Sequence, residues 1–536
     1  MTPEQSVFKV AVEAALIKEG AADLTFNEIG NKVQWHFKLT RNNQIWQFYL
    51  PICNWTLTPL PYLHWATDEP VWGWPHTGGD GSICAFDRQG LNYDAEDYEG
   101  IIQAIISKSM EILNENHAIT NSQRLRAFAD ELEAYARNVG IPALTLDAPL
   151  GSNQRVHADV FSKDKNQWKI DRINSPEANN KARRHSLFIL DVDIEELPPL
   201  INKPNHDWWQ QLRQNLASKS QCRLDNKRGC GVILRISNRF GGAHILLYWG
   251  NVERGQQFHI YRLEPAYHEY LTRRVGQQSL DRKIAIVGVG AVGSRVAEFL
   301  VQTGVRHLTL VDSDKMSANN LGRHVLSRNF IGQNKAEGLA VHLRNRMPGV
   351  EITPHQSTLQ EWLEHTQPNN FDVIVLATGD IAGERLLLRR AWREGWTCKL
   401  VCTFVEASNL GGHAISMQPS EKGCLECLCE IDSTTSTETL RTIMLAPGQS
   451  PLQEISGCGA FTPYSAVSAT RTALLATDLS LPNTDVGYHR WAGSDDDAKA
   501  VNLRPSEFWY ALRNGRAHSF VSREKYIRGD CQCCNS

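Results

Sequence analysis

KIAIVGVGAVGSRVAEFLVQTGVRHLTLVDSDKMSANNLGRHVLSRNFIGQNK, residues 283–335, is the stretch that decides the fold of the C-terminal half of the chain. It begins with an apolar strand, 284–287, continues through Gly288, Gly290 and Gly293, and then predicts an amphipathic helix. Glycines at this spacing let backbone N–H groups and a helix N-terminus approach a phosphate closely. The stretch predicts a nucleotide-binding turn, a feature that NAD-, FAD- and ATP-binding proteins share.

The residues after this turn favour ATP chemistry. A second strand, 308–311, ends at Asp312, at the usual distance for an acid that hydrogen-bonds a ribose hydroxyl. Asn320, Arg323 and Lys335 follow, and their side chains suit a polyphosphate. A dehydrogenase has no use for these three, whereas an enzyme that activates a carboxylate with ATP needs cations around its pentavalent α-phosphate.

Four short apolar runs alternate with helical patterns from about residue 270 onward, which predicts a mostly parallel, doubly wound sheet. They are 284–287, 308–311, 372–376 and 398–404. The third run leads into Asp380 at the carboxyl edge of the sheet, where ligands of such sheets bind. Asp380 is therefore predicted either to hold Mg²⁺ against a triphosphate or to cap the following helix.

Two cysteine pairs predict a zinc site. Each pair is a C-x-x-C, and together they supply the four thiolates that structural zinc prefers. The predicted ligands are Cys424, Cys427, Cys531 and Cys534. Cys429 and Cys533 are left over as possible substitutes, which leaves the fourth ligand open. Because the pairs lie more than 100 residues apart, the metal would clamp the C-terminus onto its domain.

Two further cysteines lie in glycine-flanked loops. Cys458 precedes an apolar helix predicted at 464–479, whose dipole favours a thiolate. Cys84 ends a Gly-Ser-Ile-Cys string after a loop at 59–81 that contains His76. The alternatives are buried cysteines and a structural histidine. The remaining cysteines are predicted to be packing thiols: Cys53, Cys222, Cys230, Cys398 and Cys402.

The first half of the chain divides into two segments with different sequence patterns. Residues 1–150 predict an N-terminal helix followed by strands, a loop and two helices: 33–39, 44–51, 59–81, 98–114 and 122–139. Residues 151–270 predict a small α+β unit with strands at 186–192, 231–236, 243–249 and 258–263. Trp208 and Trp209 in that unit are expected to be core or interface anchors.

Composition sets further bounds. The 536 residues suggest about three domains. The 56 basic and 59 acidic residues give a net charge of −3, and no basic block predicts direct nucleic-acid binding. No apolar run predicts a membrane span. Thirteen cysteines without a signal peptide favour reduced thiols and a cytoplasmic enzyme.

The C-terminal motifs resemble the ubiquitin-activating (ThiF/MoeB) superfamily of adenylyltransferases. The resemblance covers about 273–536 and rests on GVGAVGS, on D-x-D-x(5)-N-L-x-R from Asp312 to Arg323, on I-G-x-x-K ending at Lys335, and on the strand ending in Asp380. It implies that Asp312 and Asn320 contact ATP, that Arg323 and Lys335 neutralise phosphates, and that Asp380 binds Mg²⁺. It also implies Zn²⁺ at the cysteine pairs, a thioester on Cys458, and a homodimer in which Arg273 or Arg274 reaches the partner's site.

The N-terminal order of elements resembles ubiquitin-conjugating enzymes across 1–140, which implies a thioester on Cys84. One departure is that Trp74-Pro75-His76 stands where that family has His-Pro-Asn. His76 therefore replaces the asparagine that stabilises an oxyanion, and an imidazole can both donate such a hydrogen bond and accept a proton.

The predicted fold class is α/β: a conjugating-like α+β domain at 1–150, an α+β linker domain at 151–270, and a Rossmann-like adenylation domain with a zinc site at 271–536. This arrangement resembles the fused activating–conjugating protein of bacterial anti-phage CBASS operons. That likeness implies ATP-dependent activation of a ubiquitin-like tail, borne by a CD-NTase, followed by a relay from Cys458 to Cys84 and conjugation to a lysine. The alternatives are activation of a sulfur carrier, a nucleotide-binding scaffold without chemistry, and an NAD-dependent oxidoreductase. The last explains the glycine turn but not Arg323, Lys335 or the cysteines.

Overall fold

The chain forms two compact units, Met1–Pro265 and Ala266–Ser536. The structure, a computed structural model, describes residues 1–67, 71–87, 90–150, 156–164, 167–173, 183–216, 230–240, 242–249, 258–431, 438–450, 453–456, 459–482, 484 and 486–535. A separate linker domain within the first unit stays a prediction.

The first unit begins with a helix, an antiparallel meander and a second long helix. These elements are α1 Pro3–Lys18, β1 Ala22–Ile29, β2 Lys32–Arg41, β3 Gln44–Cys53, β4 Leu63–Trp65, β5 Ser82–Ile83 and α2 Tyr98–Ala118. The strands pair in the order β1-β2-β3-β4-β5. Alternate residues of β2 and β3, among them Trp35 and Phe48, are buried against the helices. The predicted order of helix, strands, loop and helices is confirmed, but β1 was not predicted and the predicted loop at 59–81 contains β4.

The helix predicted at 122–139 is two helices. They are α3 Asn121–Phe128 and α4 Leu132–Asn138, with a 3₁₀ turn at Ala129–Glu131 between them. The single-helix prediction is wrong because residues of this turn form hydrogen bonds with Asn238 and Arg239, from a distant part of the chain. Asn238 Nδ2 donates to the carbonyl of Ala129 at 3.3 Å, and Arg239 N donates to Asp130 Oδ1 at 3.0 Å.

In the part of the first unit after α4 that the structure describes, seven strands form a closed sheet and are accompanied by one helix. The elements are β6 Ala143–Leu146, β7 Val156–Asp164, β8 Gln167–Ile173, β9 Arg183–Val192, α5 His206–Asn215, β10 Cys230–Ile236, β11 Ala243–Trp249 and β12 Phe258–Pro265. The strand order is β10-β11-β12-β6-β8-β7-β9, and parallel pairing of β9 with β10 closes the sheet. The four strands predicted here are confirmed. Trp208 and Trp209 are buried in a core shared with α3 and α4, so their prediction as core residues is also confirmed.

The second unit is an eight-stranded sheet with helices on both faces. Its helices are α6 His268–Arg274, α7 Gly293–Gln302, α8 Lys335–Arg346, α9 Leu359–Glu364, α10 Ile381–Glu394, α11 Ala466–Ser480, α12 Asp496–Ala500 and α13 Glu507–Arg513. Its strands are β13 Leu280–Val287, β14 Val305–Val311, β15 Glu351–His355, β16 Val373–Leu376, β17 Lys399–Val405, β18 Gly411–Met417, β19 Cys429–Ile431, β20 Glu438–Leu440, β21 Gln453–Ser456, β22 Gly459–Phe461, β23 Gly487–Ala492 and β24 Phe520–Ser522. Strands β19–β22 form two separate hairpins.

The topology of the large sheet locates the site. Its order is β15-β14-β13-β16-β17-β18-β23-β24. The first five strands in this order are parallel to one another, and β18, β23 and β24 each run antiparallel to the strand before them. This confirms the predicted mostly parallel, wound sheet and its four strands. The chain turns back between β13 and β16, and ligands of such sheets bind at the carboxyl ends of the strands beside this point. The glycine turn follows β13 there.

The faces of the sheet are covered differently. Helices α7, α8 and α11 pack on one face through residues such as Val296, Leu339 and Ala473. Helices α9 and α10 and the cysteine cluster pack on the other. All four residues of β16 are buried, as expected for a central parallel strand that is covered on both sides.

Candidate functional site

The glycine turn has a steric basis. Gly288 has a φ of +83°, and a Cβ there would lie 2.7 Å from the carbonyl oxygen of Ala377. A Cβ at Gly293 would collide with the carbonyl of Gly288. Nothing lies within 4 Å of a Cβ at Gly290, which lines a cavity. Two glycines therefore let β13, β16 and α7 pack together, and the third leaves backbone open to a ligand.

Two cavities lie at the carboxyl ends of the parallel strands and share Thr378. The larger, of about 860 Å³, is lined mainly by the glycine turn and apolar side chains, with Arg323 and Glu406 as its charged members. The smaller, of about 260 Å³, is rich in carboxylates. Its acidic residues are Asp312, Asp314, Asp380 and Glu384. One cavity suits an apolar chain beside a cation, and the other suits sugar hydroxyls or a hard metal ion.

Asp312 ties the end of β14 to the glycine turn. Its Oδ2 accepts a hydrogen bond from Val289 N at 2.8 Å, and its Oδ1 accepts one from Asp314 N at 2.9 Å. Burial raises the pKa of Asp312 above its ordinary value, and these backbone hydrogen bonds oppose that shift. A carboxylate has about four acceptor positions, so the group can still accept a ribose hydroxyl. Its position in the smaller cavity suits the predicted contact.

Lys335 is buried and already has an anionic partner. It begins α8, and its Nζ donates to Asp314 Oδ2 at 2.8 Å. Asp314 lines the smaller cavity, whereas Lys335 is not among the lining residues of either cavity. To neutralise a phosphate, the ammonium of Lys335 would have to exchange this carboxylate for the phosphate.

The segment from Asn320 to Leu326 contributes one side chain to the lining of the larger cavity. Asn320 Oδ1 accepts hydrogen bonds from the Ser317 N and Oγ atoms, both at 3.0 Å, so it caps its own 3₁₀ turn. Asn320 does not line either cavity. Arg323 does, and its guanidinium carbon lies 4.6 Å from the centre of the Tyr464 ring. The aromatic face helps to hold this cation in the lining of the larger cavity.

His324 joins this segment to the glycine turn. Leu326 N donates to its Nδ1 at 3.0 Å, so Nε2 carries the hydrogen and donates to Val289 O at 2.7 Å. Burial lowers the pKa of His324 to about 4, which keeps the ring neutral. No sequence motif marks this residue. It positions Arg323 relative to the turn.

Asp380 caps α10. Its Oδ1 accepts a hydrogen bond from Gly383 N at 3.1 Å, and its own N–H donates to Thr378 Oγ1 at 3.0 Å. The capping alternative is thus present in the structure. Asp380 also lines the smaller cavity, and its second oxygen gives it the means to hold a cation as well.

Glu384, which the sequence analysis missed, supports the same turn. This buried residue accepts hydrogen bonds from the N–H of Thr378 at 3.1 Å and from its Oγ1 at 2.7 Å. Burial raises the pKa of Glu384 to about 7. The sequence signal for Glu384 is its position four residues after Asp380, because residues at this spacing lie on the same face of a helix.

Glu384 should make the stability of the second unit depend on pH. Its pKa is about 7 in the folded protein and about 4.5 in the unfolded chain, so the folded state binds more protons between these values. Stability therefore falls as pH rises from about 4.5 to 7, by about 3 kcal/mol in total. Glu384→Gln should flatten this fall, measured as the thermal midpoint between pH 5 and 8. Glu394→Gln, at the far end of α10, should leave the slope unchanged, and equal slopes for Glu384→Gln and wild type would refute the assignment.

The four predicted zinc ligands come together. The Sγ atoms of Cys424, Cys427, Cys531 and Cys534 lie within 4.8 Å of one another, and all four residues are buried. The Cys424–Cys531 and Cys427–Cys534 sulfur pairs are 3.6 and 3.5 Å apart. A tetrahedron with Zn–S bonds of about 2.3 Å has edges of about 3.8 Å, so the set fits zinc. Cys429 instead points its sulfur at Leu425 O, at 3.7 Å.

Helix α10 connects this cluster to the turn at Thr378 that follows β16. Glu426 lies between Cys424 and Cys427 and is buried. Arg389 of α10 donates to both of its carboxylate oxygens, at 2.5 and 2.9 Å. A bidentate pair with a buried partner fixes geometry more firmly than a surface pair does. The helix that carries Asp380 at its start is thus bonded to the cysteine cluster further along.

The N-terminal cysteine is accessible. Cys84 is exposed, so the alternative of a buried thiol is wrong. Its N–H donates to His76 O at 2.8 Å across a short bridge between Thr77 and Ile83. His76 has a φ of +60° and an exposed ring. The prediction that Cys53 is a packing thiol is also wrong, since Cys53 is exposed, whereas Cys398 and Cys402 are buried as predicted.

Several predicted residues lie elsewhere. Cys458 and Cys222 lie outside the described residues, and the side chain of Cys230 is not described. Arg273 and Arg274 are exposed in the last turn of α6. Their predicted role at a dimer interface stays a prediction. Among the described residues, no helix combines the length and hydropathy that a membrane crossing requires.

Comparison with known proteins gives the second unit a family. Residues 269–479 match the model of the ThiF family, so the C-terminal region of the chain carries a ThiF domain. The chain is similar to the ATP-dependent ubiquitin transferase-like protein Cap2 of Pseudomonas aeruginosa, at 26% identity over 37% of this chain and 36% of that protein. It is also similar to the NEDD8-activating enzyme E1 catalytic subunit of Arabidopsis thaliana, at 30% identity over 27% of this chain and 34% of the relative.

The chain therefore spans about a third of the length of these curated relatives. Among solved structures, the crystal structure of E. coli MccB with ATP matches with a TM-score of 0.32 at 16% identity, over 47% of this chain and 66% of that one.

Proposed function

We propose that the second unit uses ATP to adenylate the C-terminal carboxylate of a ubiquitin-like tail. The observation that carries this proposal is that Thr378 lines both cavities, one rich in carboxylates and the other mainly apolar with Arg323 in its lining. The acidic cavity suits the ribose and a Mg²⁺ ion, and the larger one suits an extended peptide. The two ligands would then meet at the glycine turn. The ThiF domain supports this chemistry.

The reaction joins the tail carboxylate to the α-phosphorus. A carboxylate oxygen forms the new bond, the bond from the α-phosphorus to the bridging oxygen breaks, and pyrophosphate leaves. Arg323 would neutralise the charge that develops on the α-phosphate, and Lys335 would do so after exchanging Asp314. Asp380 would hold Mg²⁺, which supplies further positive charge when bound.

The acyl group then moves to cysteine. The Cys458 thiolate would attack the acyl adenylate and release AMP, and the Cys84 thiolate would take the acyl group by thioester exchange. A lysine amine would finally form an isopeptide bond. Each thioester divides a difficult acylation into easier steps. The exposure of Cys84 supports the second transfer.

The partners follow from the resemblance and from a relative's name. A ubiquitin transferase-like relative supports a protein substrate. From the resemblance to the fused CBASS protein, we further propose that a CD-NTase carries the tail in anti-phage defence and that a homodimer is the working form. Activation of a sulfur carrier is the second candidate, but it leaves the exposed Cys84 without a role. An NAD-dependent oxidoreductase would leave the Arg323 cavity and the cysteine cluster unused.

Labelled pyrophosphate exchange into ATP tests the adenylation step. Wild-type protein with its tail-bearing substrate should catalyse exchange, and Asp380→Asn should reduce it on the order of 100-fold, because one preorganised charge stabilises the transition state by about 3 kcal/mol. Asparagine caps helices as well as aspartate does, so α10 should keep its stability. This variant therefore separates a cation-binding role from the cap.

The matched control is Asp97→Asn at the N-cap of α2 in the first unit. It should leave exchange at the wild-type rate. Full exchange by Asp380→Asn would restrict that residue to capping, and wild-type protein that is inert with ATP but active with NAD would end the proposal.

A further inference from the structure

Glu131 contacts His76 through both of its carboxylate oxygens. Its Oε2 accepts a hydrogen bond from His76 N at 2.6 Å, and its Oε1 lies 3.2 Å from His76 Nδ1. The backbone bond holds the residue in its left-handed conformation, which few residues other than glycine adopt. The side-chain contact places a carboxylate oxygen beside Nδ1. A carboxylate there favours the tautomer with the hydrogen on Nδ1, which leaves the lone pair of the neutral ring on Nε2.

The backbone of His76 is hydrogen-bonded to the backbone of Cys84. Cys84 N donates to His76 O at 2.8 Å, so the two residues face each other across the bridge between Thr77 and Ile83. The backbone of His76 is therefore adjacent to the residue that would carry the thioester.

The position of Glu131 follows from the break between α3 and α4. Glu131 ends the 3₁₀ turn, and Asn238 and Arg239 bond the two residues before it. On the other side, the buried Asn116 donates from Nδ2 to Pro75 O at 2.9 Å. Both ends of the Glu131–His76 contact are therefore fixed by the body of the unit, as expected for a group whose orientation matters.

We propose that Glu131 is a positioning residue that holds His76 as the base for amine attack on the Cys84 thioester. This inference rests on the proposed function. The amine nitrogen attacks the thioester carbonyl carbon and passes a proton to His76 Nε2. The C–S bond then breaks, an amide forms, and the Cys84 thiolate takes the proton back from the imidazolium, which Glu131 stabilises in the interim.

Glu131→Gln in the full chain tests this geometry. The glutamine carbonyl can still accept from His76 N, while its NH₂ group faces Nδ1 and forces the hydrogen onto Nε2. The loop should stay folded, but Nε2 can no longer accept a proton. Cys84 is loaded by exchange with a small-molecule thioester of N-acetylglycine, which bypasses adenylation, and discharge to free lysine is followed by mass spectrometry. Loading should be unchanged, and discharge should slow on the order of 100-fold.

The ring itself gives a second readout. With ¹⁵N-labelled histidine, and with His76→Gln to assign the signal, the non-protonated nitrogen of His76 should be Nε2 in wild type and Nδ1 in Glu131→Gln. A purely structural role for Glu131 would not exchange the two nitrogens. Glu111→Gln, which removes an exposed ion pair with Lys108 on α2, should change neither discharge nor tautomer.

The outcomes separate this inference from the function on which it rests. Wild-type discharge by Glu131→Gln, or an unchanged tautomer, overturns the positioning role. Normal results with the small thioester, combined with no loading of Cys84 from ATP and a tail, would instead overturn the proposed relay and leave the Glu131–His76 pair in place.

Discussion

Cys84→Ala should stop the acyl group on Cys458 and abolish conjugation. Thioester exchange requires a second thiolate, so its removal leaves the first thioester as the end of the pathway. When the variant is incubated with ATP and the tail-bearing substrate, it should form a covalent adduct. This adduct should be visible as a band on a non-reducing gel and should be cleaved by reducing agent. Cys458→Ala should form the acyl adenylate, seen by pyrophosphate exchange, but no adduct at either cysteine.

The matched control for this experiment is Cys53→Ala. Cys53 is also an exposed cysteine of the first unit, at the end of β3, and its removal should leave conjugation at the wild-type rate. If Cys84→Ala conjugates as fast as wild type, the two-cysteine relay is wrong and only the activating step remains.

Cys424→Ser should release the metal and unfold part of the second unit. Zinc binding to four thiolates contributes on the order of 10 kcal/mol in small zinc domains, and that free energy becomes folding free energy. Elemental analysis of wild type should find about one zinc per chain. The variant should lose both the metal and a large part of its thermal stability, measured in the same preparation.

Cys429→Ser distinguishes this cluster from a general sensitivity to lost thiols. Cys429 is buried and lies two residues after Cys427 in the sequence, but its sulfur is not one of the four clustered sulfur atoms. It should keep the metal and most of its stability. Wild-type protein that is metal-free and fully stable would exclude the clamp, and loss of metal in Cys429→Ser would show that the ligands are assigned wrongly.

The sequence predicted the second unit well because its signals are local. Four apolar runs, the glycine turn at Gly288 and the paired cysteines each lie within a few residues, and the structure contains all of them. The alternation of buried residues along β3 also gave a signal that was missed. Trp46, Phe48, Leu50 and Ile52 face the core, so Cys53 must face outward.

The contacts that shape the sites come from distant parts of the chain. Glu131 meets His76 across 55 residues, and Arg389 meets Glu426 across 37. The break before α4 depends on Asn238, more than 100 residues away. Neither periodicity nor local propensity records such partners, and an ion pair such as Lys335–Asp314 can be placed only once the turn between its two residues is known.

The double attachment of α10 has a thermodynamic consequence. The helix holds Asp380 and Glu384 beside Thr378 at its start, and Arg389 binds the carboxylate between two of the cysteines. Two ligands that bind through one rigid element are energetically linked, and linkage is symmetric. Whatever factor zinc contributes to nucleotide affinity, the nucleotide must contribute equally to zinc affinity. If zinc strengthens nucleotide binding, a chelator at equilibrium would remove less metal from the ATP-bound protein than from the free protein.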